Sequence, residues 1–170
     1  MGDFTDSPEA IQEKLIYPVP KGLTALWDAV YLGLNKLRSA KYSKRALLVL
    51  SDGGENHSRY SGRELERMVR EADVQIYGIG IPGADYGPGT LLGVTDATGG
   101  RMFEGPANTF ADTTQKIAVE LRNQYVLGYR PQNRAHDGKF RKIKVRLQPP
   151  RGLPPLNASA KKAGYYAPER

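Results

Sequence analysis

Five consecutive apolar residues, Ala46 to Leu50, predict a strand buried on both faces, because the run is too short for a helix and lacks helical periodicity. Ser51, Asp52, Gly53 and Gly54 then read as an abrupt turn, and Ser61-x-x-Glu64 is a capping box that opens a helix. Within Ser61 to Asp73, Leu65, Met68, Val69 and Ala72 recur at helical spacing among arginines and glutamates, the pattern of an amphipathic surface helix. Val74 to Ile81 is a second apolar run, so the three pieces predict a strand, helix, strand unit with a right-handed parallel crossover.

The flanking segments complete an α/β pattern. Ser7 to Leu15 reads as a short helix with Pro8 at its first position, and Tyr17 to Gly22, with two prolines, as loop. Trp27, Val30, Leu34 and Leu37 predict a helix from Thr24 to Leu37, with Thr24 as its N-cap and cations near its end. Gly83 to Gly89 reads as loop and Thr90 to Thr98 as a short helix stopped by Gly99-Gly100. A brief strand at Arg101 to Glu104 and a helix from Thr109 to Asn123 follow. Gln124 to Tyr129 predicts another strand. Phe140 to Leu147 alternates apolar and basic residues, which predicts a half-exposed strand forming a long-looped hairpin with Tyr125 to Arg130. An extended piece near Asn157 to Tyr166 is expected to return to the sheet.

At 170 residues the chain has room for one domain with a proper core. No apolar run approaches the roughly 18 residues of a membrane span, and no signal-peptide pattern opens the sequence. Cysteine is absent, which excludes disulfides and thiol chemistry. The net charge of +7 is local: Arg130 to Arg151 holds eight basic residues and one acidic one, and the remaining 17 basic and 17 acidic residues cancel.

Asp52 is the first candidate for chemistry, since ligands in an open α/β sheet bind outside the carboxyl ends of the strands. A turn aspartate folded back onto its own backbone explains the same residue. Thr24 reads as a helix cap, and Asp28 as a first-turn residue favoured by the helix dipole. Glu55 and His57 flank the Asp52 loop, where they could meet a partner or simply face solvent. Gly78-Ile-Gly-Ile-Pro-Gly83 formally fits a dinucleotide fingerprint, but Pro82 lacks an amide hydrogen and no helix opens at the third glycine, so close packing of a strand end is the better reading. The basic hairpin, with Tyr129, Lys142, Lys144 and Arg146, fits either a polyanion surface or a lysine-guarded sheet edge. No nucleophile is paired with a base at the spacing known motifs require, which argues against an enzyme.

Four stretches together, Gly22-Leu-Thr-Ala-Leu-Trp-Asp-Ala29, Leu48-Val-Leu-Ser-Asp-Gly53, Val74-Gln-Ile-Tyr-Gly-Ile-Gly80 and Thr98-Gly-Gly-Arg101, resemble the landmarks of a von Willebrand factor type A domain. Gln124 to Tyr129, the basic strand and Gly164-Tyr-Tyr-Ala-Pro168 resemble the tail of bacterial, largely extracytoplasmic members. The resemblance implies a doubly wound, mostly parallel, Rossmann-like α/β sheet. Residues 1–130 would form a partial domain and residues 131–170 a C-terminal antiparallel hairpin and tail packed on it. It also implies a metal-ion-dependent adhesion site for Mg²⁺, onto which Thr24 and Asp52 map, and a protein-binding rather than catalytic role, extracytoplasmic or secreted in the parent protein.

The family's first metal motif, Asp-x-Ser-x-Ser, is absent from the sequence. Matched to the family, the chain lacks the amino-terminal third, so the expected metal site is a remnant that binds Mg²⁺ weakly or not at all. In the family's strand order the missing first strand would lie beside Ala46 to Leu50. That strand is then expected to be an edge, which pairs with another copy or with a missing segment of the parent chain. Alternative functions are nucleic-acid or polyanion binding through the basic hairpin, and a metal-independent assembly scaffold.

Overall fold

The computed structural model describes residues 3–16, 23–82, 89–152, 159–161 and 164–169. The elements in chain order are α1 (Pro8–Ile16), α2 (Leu26–Arg38), β1 (Ala46–Ser51), α3 (Gly62–Glu71), β2 (Gln75–Gly80), α4 (Gly89–Thr98), β3 (Met102–Glu104), α5 (Phe110–Arg122), β4 (Phe140–Lys142) and β5 (Gly164–Tyr166). The fold is mixed α/β, with a three-stranded parallel sheet in the order β1-β2-β3 and a separate antiparallel pair, β4-β5. Among the described residues no helix is long and apolar enough to cross a membrane.

The strand period of two divides the core. Ile76 of β2 joins Leu26, Val30 and Leu34 of α2, Leu65 and Val69 of α3 and Val94 of α4 on one face, with Leu47 and Val49 of β1 packed against them. Tyr77 and Ile79 turn to the other face and meet Ile117 of α5, with Ala46, Phe103, Phe110 and Leu121 around them. Three helices therefore cover one face and α5 the other. Beyond the reach of α5 the second face is open, and Leu48 and Leu50 of β1 are 40% and 47% exposed. The expectation of a strand buried on both faces is corrected here, because an edge strand covered on one side alternates instead of burying every residue.

Several termini follow from their residues. Ser7 Oγ accepts the Ala10 N–H at 3.2 Å, so Pro8 occupies the position where a missing amide hydrogen costs nothing. Ser61 and Glu64 form the full capping box that starts α3. Gly99, at φ +76°, ends α4 in a left-handed conformation. The buried Thr98 hydroxyl donates to Thr95 O at 2.8 Å and accepts the Ile76 N–H at 2.9 Å, locking α4 to β2 without an orphaned polar atom. Gly78 and Gly100 permit close packing: a Cβ on Gly78 would overlap Met102 Sδ and come 2.9 Å from Leu91 Cδ2, and one on Gly100 would overlap the Ile76 carbonyl.

The carboxyl third departs from expectation. Residues 124–130 form no strand and are mostly exposed, with Tyr125 at 87%. The alternating segment is a strand only over Phe140 to Lys142, and its partner is Gly164 to Tyr166, so the expected hairpin with Tyr125 to Arg130 does not form. The last piece likewise joins β4 rather than the parallel sheet. The expected loops at Tyr17 to Gly22 and 83–88, and residues 157–158 and 162–163 of the last piece, lie outside the described residues. The small sheet is tied to the amino-terminal end of the parallel sheet, where Lys161 Nζ donates to Ala72 O at 2.6 Å and Lys161 lies against Gly99. Ala167 is buried and its N–H donates to Lys139 O at 2.9 Å.

Candidate functional site

The candidate site forms where β1 ends. Gly53 is buried at φ +84°, a conformation that favours glycine, and its N–H donates to Ser51 Oγ at 3.0 Å. The chain reverses there and runs back over the N-terminus of α2. Asp52 is exposed, and its Oδ1 accepts the Gly54 N–H at 3.1 Å, the local turn that the plain reading of this residue anticipates.

Thr24 reaches the same place from a distant part of the sequence. An ideal Cβ on Gly54 would lie 3.3 Å from Asp52 Oδ1 and 3.9 Å from Thr24 Oγ1, so both side-chain oxygens border the gap that the glycine leaves. Thr24 does not cap α2. The N-cap position is Ala25, which has no side-chain oxygen to offer, and Thr24 is held through its backbone. Its carbonyl accepts the N–H groups of Asn56 and His57 at 3.0 and 3.1 Å, and its own N–H donates to Asn56 Oδ1 at 2.9 Å.

The capping role falls to the loop. Glu55 Oε2 accepts the Trp27 N–H at 2.9 Å and Ser58 Oγ accepts the Asp28 N–H at 3.2 Å, filling two of the amides that the first turn of α2 leaves open. Glu55 also accepts from the N–H groups of His57 (3.2 Å) and Ser58 (2.9 Å) and from the Ser58 hydroxyl (2.7 Å). Burial alone would raise the Glu55 pKa. The hydrogen bonds from Ser58, Trp27 and His57 outweigh that and hold it below its ordinary value. In return, Asp28 Oδ1 accepts the N–H groups of Arg59 and Tyr60 at 2.9 and 3.2 Å. The rings of Tyr31 and Tyr60 stack above this seam with centroids 4.0 Å apart.

Of the residues expected to meet a partner, His57 is exposed, whereas both carboxylate oxygens of Glu55 are engaged inside the loop. The signal that could have revealed this role is Ala25: a helix beginning without a side-chain cap needs an acceptor from elsewhere.

As a cation site, the pair Thr24 and Asp52 offers two hard oxygen donors on separate segments, a chemistry suited to Mg²⁺. Among the described residues no group of three or more His, Cys, Asp or Glu side chains gathers to add to it. Most of an octahedral shell would therefore be left to water or to a partner's oxygen. The glycine pair of β2 belongs to packing, since Gly78 and Gly80 are buried within the strand.

No protein-family model matches the chain, and no curated protein matches it. A solved structure described as an uncharacterized membrane spanning protein from Vibrio fischeri is similar over 68% of this chain and 67% of its own, with 20% identity and a TM-score of 0.44. A likeness of that degree supports no inference about function.

Proposed function

We propose that this chain is a protein-binding module of the von Willebrand factor A type, with a doubly wound lineage and an incomplete metal-ion-dependent adhesion site at the end of β1. The observation that carries this reading is the convergence of Thr24 Oγ1 and Asp52 Oδ1, from two segments far apart in sequence, on the gap at Gly54. The order β1-β2-β3 in a parallel sheet, with β1 at its edge, agrees with the run of strands that the resemblance implies for this part of the domain. The ligand chemistry is that of a protein carboxylate, which completes the shell of a loosely held divalent cation. In this reading the module adheres and does not catalyse, and its parent protein works outside the cytoplasm.

Two measurements test the site. Calorimetric titration with Mg²⁺ and Mn²⁺ is expected to give weak binding or none, and micromolar affinity lost in Asp52→Ala would show a complete site instead. Paramagnetic broadening by millimolar Mn²⁺ in amide NMR spectra is expected to concentrate at Thr24, Asp52 and Gly54 and to disperse in Asp52→Asn. Broadening spread evenly over the acidic surface would overturn the reading.

A second reading has its own observation. In the small sheet, Phe140 and Tyr166 pack edge to face at 5.2 Å, both exposed, and Lys139, Lys142, Lys144 and Arg146 are exposed along the same segment. Basic side chains interleaved with open aromatic rings suit a single-stranded polyanion. Affinity for an oligonucleotide that falls steeply with salt and collapses in Lys142→Glu/Lys144→Glu favours it, and salt-independent or absent binding removes it.

A further inference from the structure

We propose that the open edge of β1 docks a second copy of this chain, joined antiparallel about a two-fold axis at Leu48, with Lys44 of each copy paired to Asp52 of the other. The inference does not depend on the adhesion reading.

The backbone fixes which groups are available. Gln75 N–H donates to Arg45 O at 3.1 Å and Ile81 N–H to Ser51 O at 2.9 Å, at the two ends of the β1-β2 ladder. In a parallel ladder alternate residues turn both main-chain groups to the same side, so the odd-numbered residues of β1 serve β2. The N–H and C=O groups of Ala46, Leu48 and Leu50 therefore face the edge, and among the described residues no strand pairs with them. Such a row is a template for strand addition.

Faces and charge then select the occupant and the register. The side chains of Leu48 and Leu50 lie on the face that α5 leaves open, while Leu47 and Val49 are packed under the helices. A two-fold axis perpendicular to the sheet keeps each face continuous with itself, so open-face residues must oppose open-face residues. With Leu48 opposite its own copy, Ala46 meets Leu50 and Lys44 meets Asp52, giving three apolar cross-strand pairs closed at each end by an ion pair. The hydrogen-bonded positions of this register are the residues whose main-chain groups face the edge. The neighbouring symmetric register, centred on Val49, sets Ala46 against Asp52 and leaves Lys44 without its anion. Lys44 is exposed, and its ammonium donates a long 3.4 Å bond to Gln124 O, which a carboxylate would replace. The edge is thus basic where β1 begins and acidic where it ends, and antiparallel pairing with itself is what satisfies both ends.

Cysteine cross-linking reads the register directly, because the chain has no cysteine of its own. Hydrogen-bonded antiparallel partners have Cα atoms about 5.5 Å apart, within disulfide reach. On mild oxidation Leu48→Cys is expected to form a disulfide-linked dimer and Val49→Cys is not. Sedimentation of the unmodified chain is expected to show a concentration-dependent dimer, weakened at least tenfold by Leu48→Glu and by Lys44→Asp, and restored in the Lys44→Asp/Asp52→Lys double variant. Leu48→Glu changes an exposed side chain, so an unchanged thermal melt of its monomer separates lost docking from lost folding. A monomer at every concentration, cross-linking through Val49→Cys, or failure of the charge swap to restore association would overturn the proposal.

Discussion

Glu55 shows how one side chain can hold a loop in place without touching a ligand. Its carboxylate gathers the Trp27, His57 and Ser58 amides and the Ser58 hydroxyl, so removing the charge leaves those donors short of an acceptor. Glu55→Gln is expected to cost roughly 1–2 kcal/mol at neutral pH, the scale of a lost helix cap, in urea unfolding. Because the folded carboxyl titrates below its ordinary 4.5, the stabilisation is complete above that value and is lost as pH falls through the lowered folded value. The gap between wild type and Glu55→Gln should therefore narrow in acid. Asp52, the Ser61/Glu64 box and Pro8 were legible in the sequence, because each acts on residues within a turn of itself. The work of Glu55 was not, since it depends on Ala25, thirty positions upstream, failing to cap α2.

At the scale of elements, α4 offers a contrast between two glycines. Gly93 lies in the helix interior with nothing within 4 Å of an added Cβ, so Gly93→Ala is expected to stabilise by about 0.5–1 kcal/mol. Gly99 has φ +76° and a Cβ there would come 2.5 Å from Lys161 N, so Gly99→Ala should destabilise by roughly 1–3 kcal/mol. Thermal melts of the two variants, moving in opposite directions, check both. Both the helix and its Gly99-Gly100 stop were readable from the sequence. The strand expected at Gln124 to Tyr129 was misread for a reason of the same scale: a run of strand-forming residues shows that a segment can pair, not that a partner is free. Phe140 to Lys142 is taken by Gly164 to Tyr166, and the short β3 bonds to β2. The same logic shortens the basic strand, whose Val145 and Leu147 remain exposed beyond the pairing.

Across the whole molecule, the two ends of the parallel sheet differ in chemistry. The carboxyl end carries Asp52 and Thr24, and the amino end carries the small sheet with its basic side chains. The concentration of charge between Arg130 and Arg151 was legible at once, but the partner of its strand was not. Phe140 to Lys142 pairs with Gly164 to Tyr166, and Lys161 shortly before β5 meets Ala72 and Gly99, contacts between residues widely spaced along the chain. The same holds for the open face of β1. Sequence marked the run as apolar throughout, and only the placement of α5 decides that Leu48 and Leu50 are left uncovered.

The seam between the Asp52 loop and α2 has a consequence for motion. Asn56, His57, Arg59 and Tyr60 donate their amides to Thr24 and Asp28, while Trp27 and Asp28 donate theirs to Glu55 and Ser58. Neither side can be released alone, so loop and helix start should open as one cooperative unit. In native-state hydrogen exchange the amides of Trp27, Asp28, Arg59 and Tyr60 are then expected to share a single opening free energy, and Glu55→Gln should lower all four together. The loop that presents Asp52 would be no more mobile than the helix beneath it, which makes rigidity, rather than adaptability, the property that any ligand meets there.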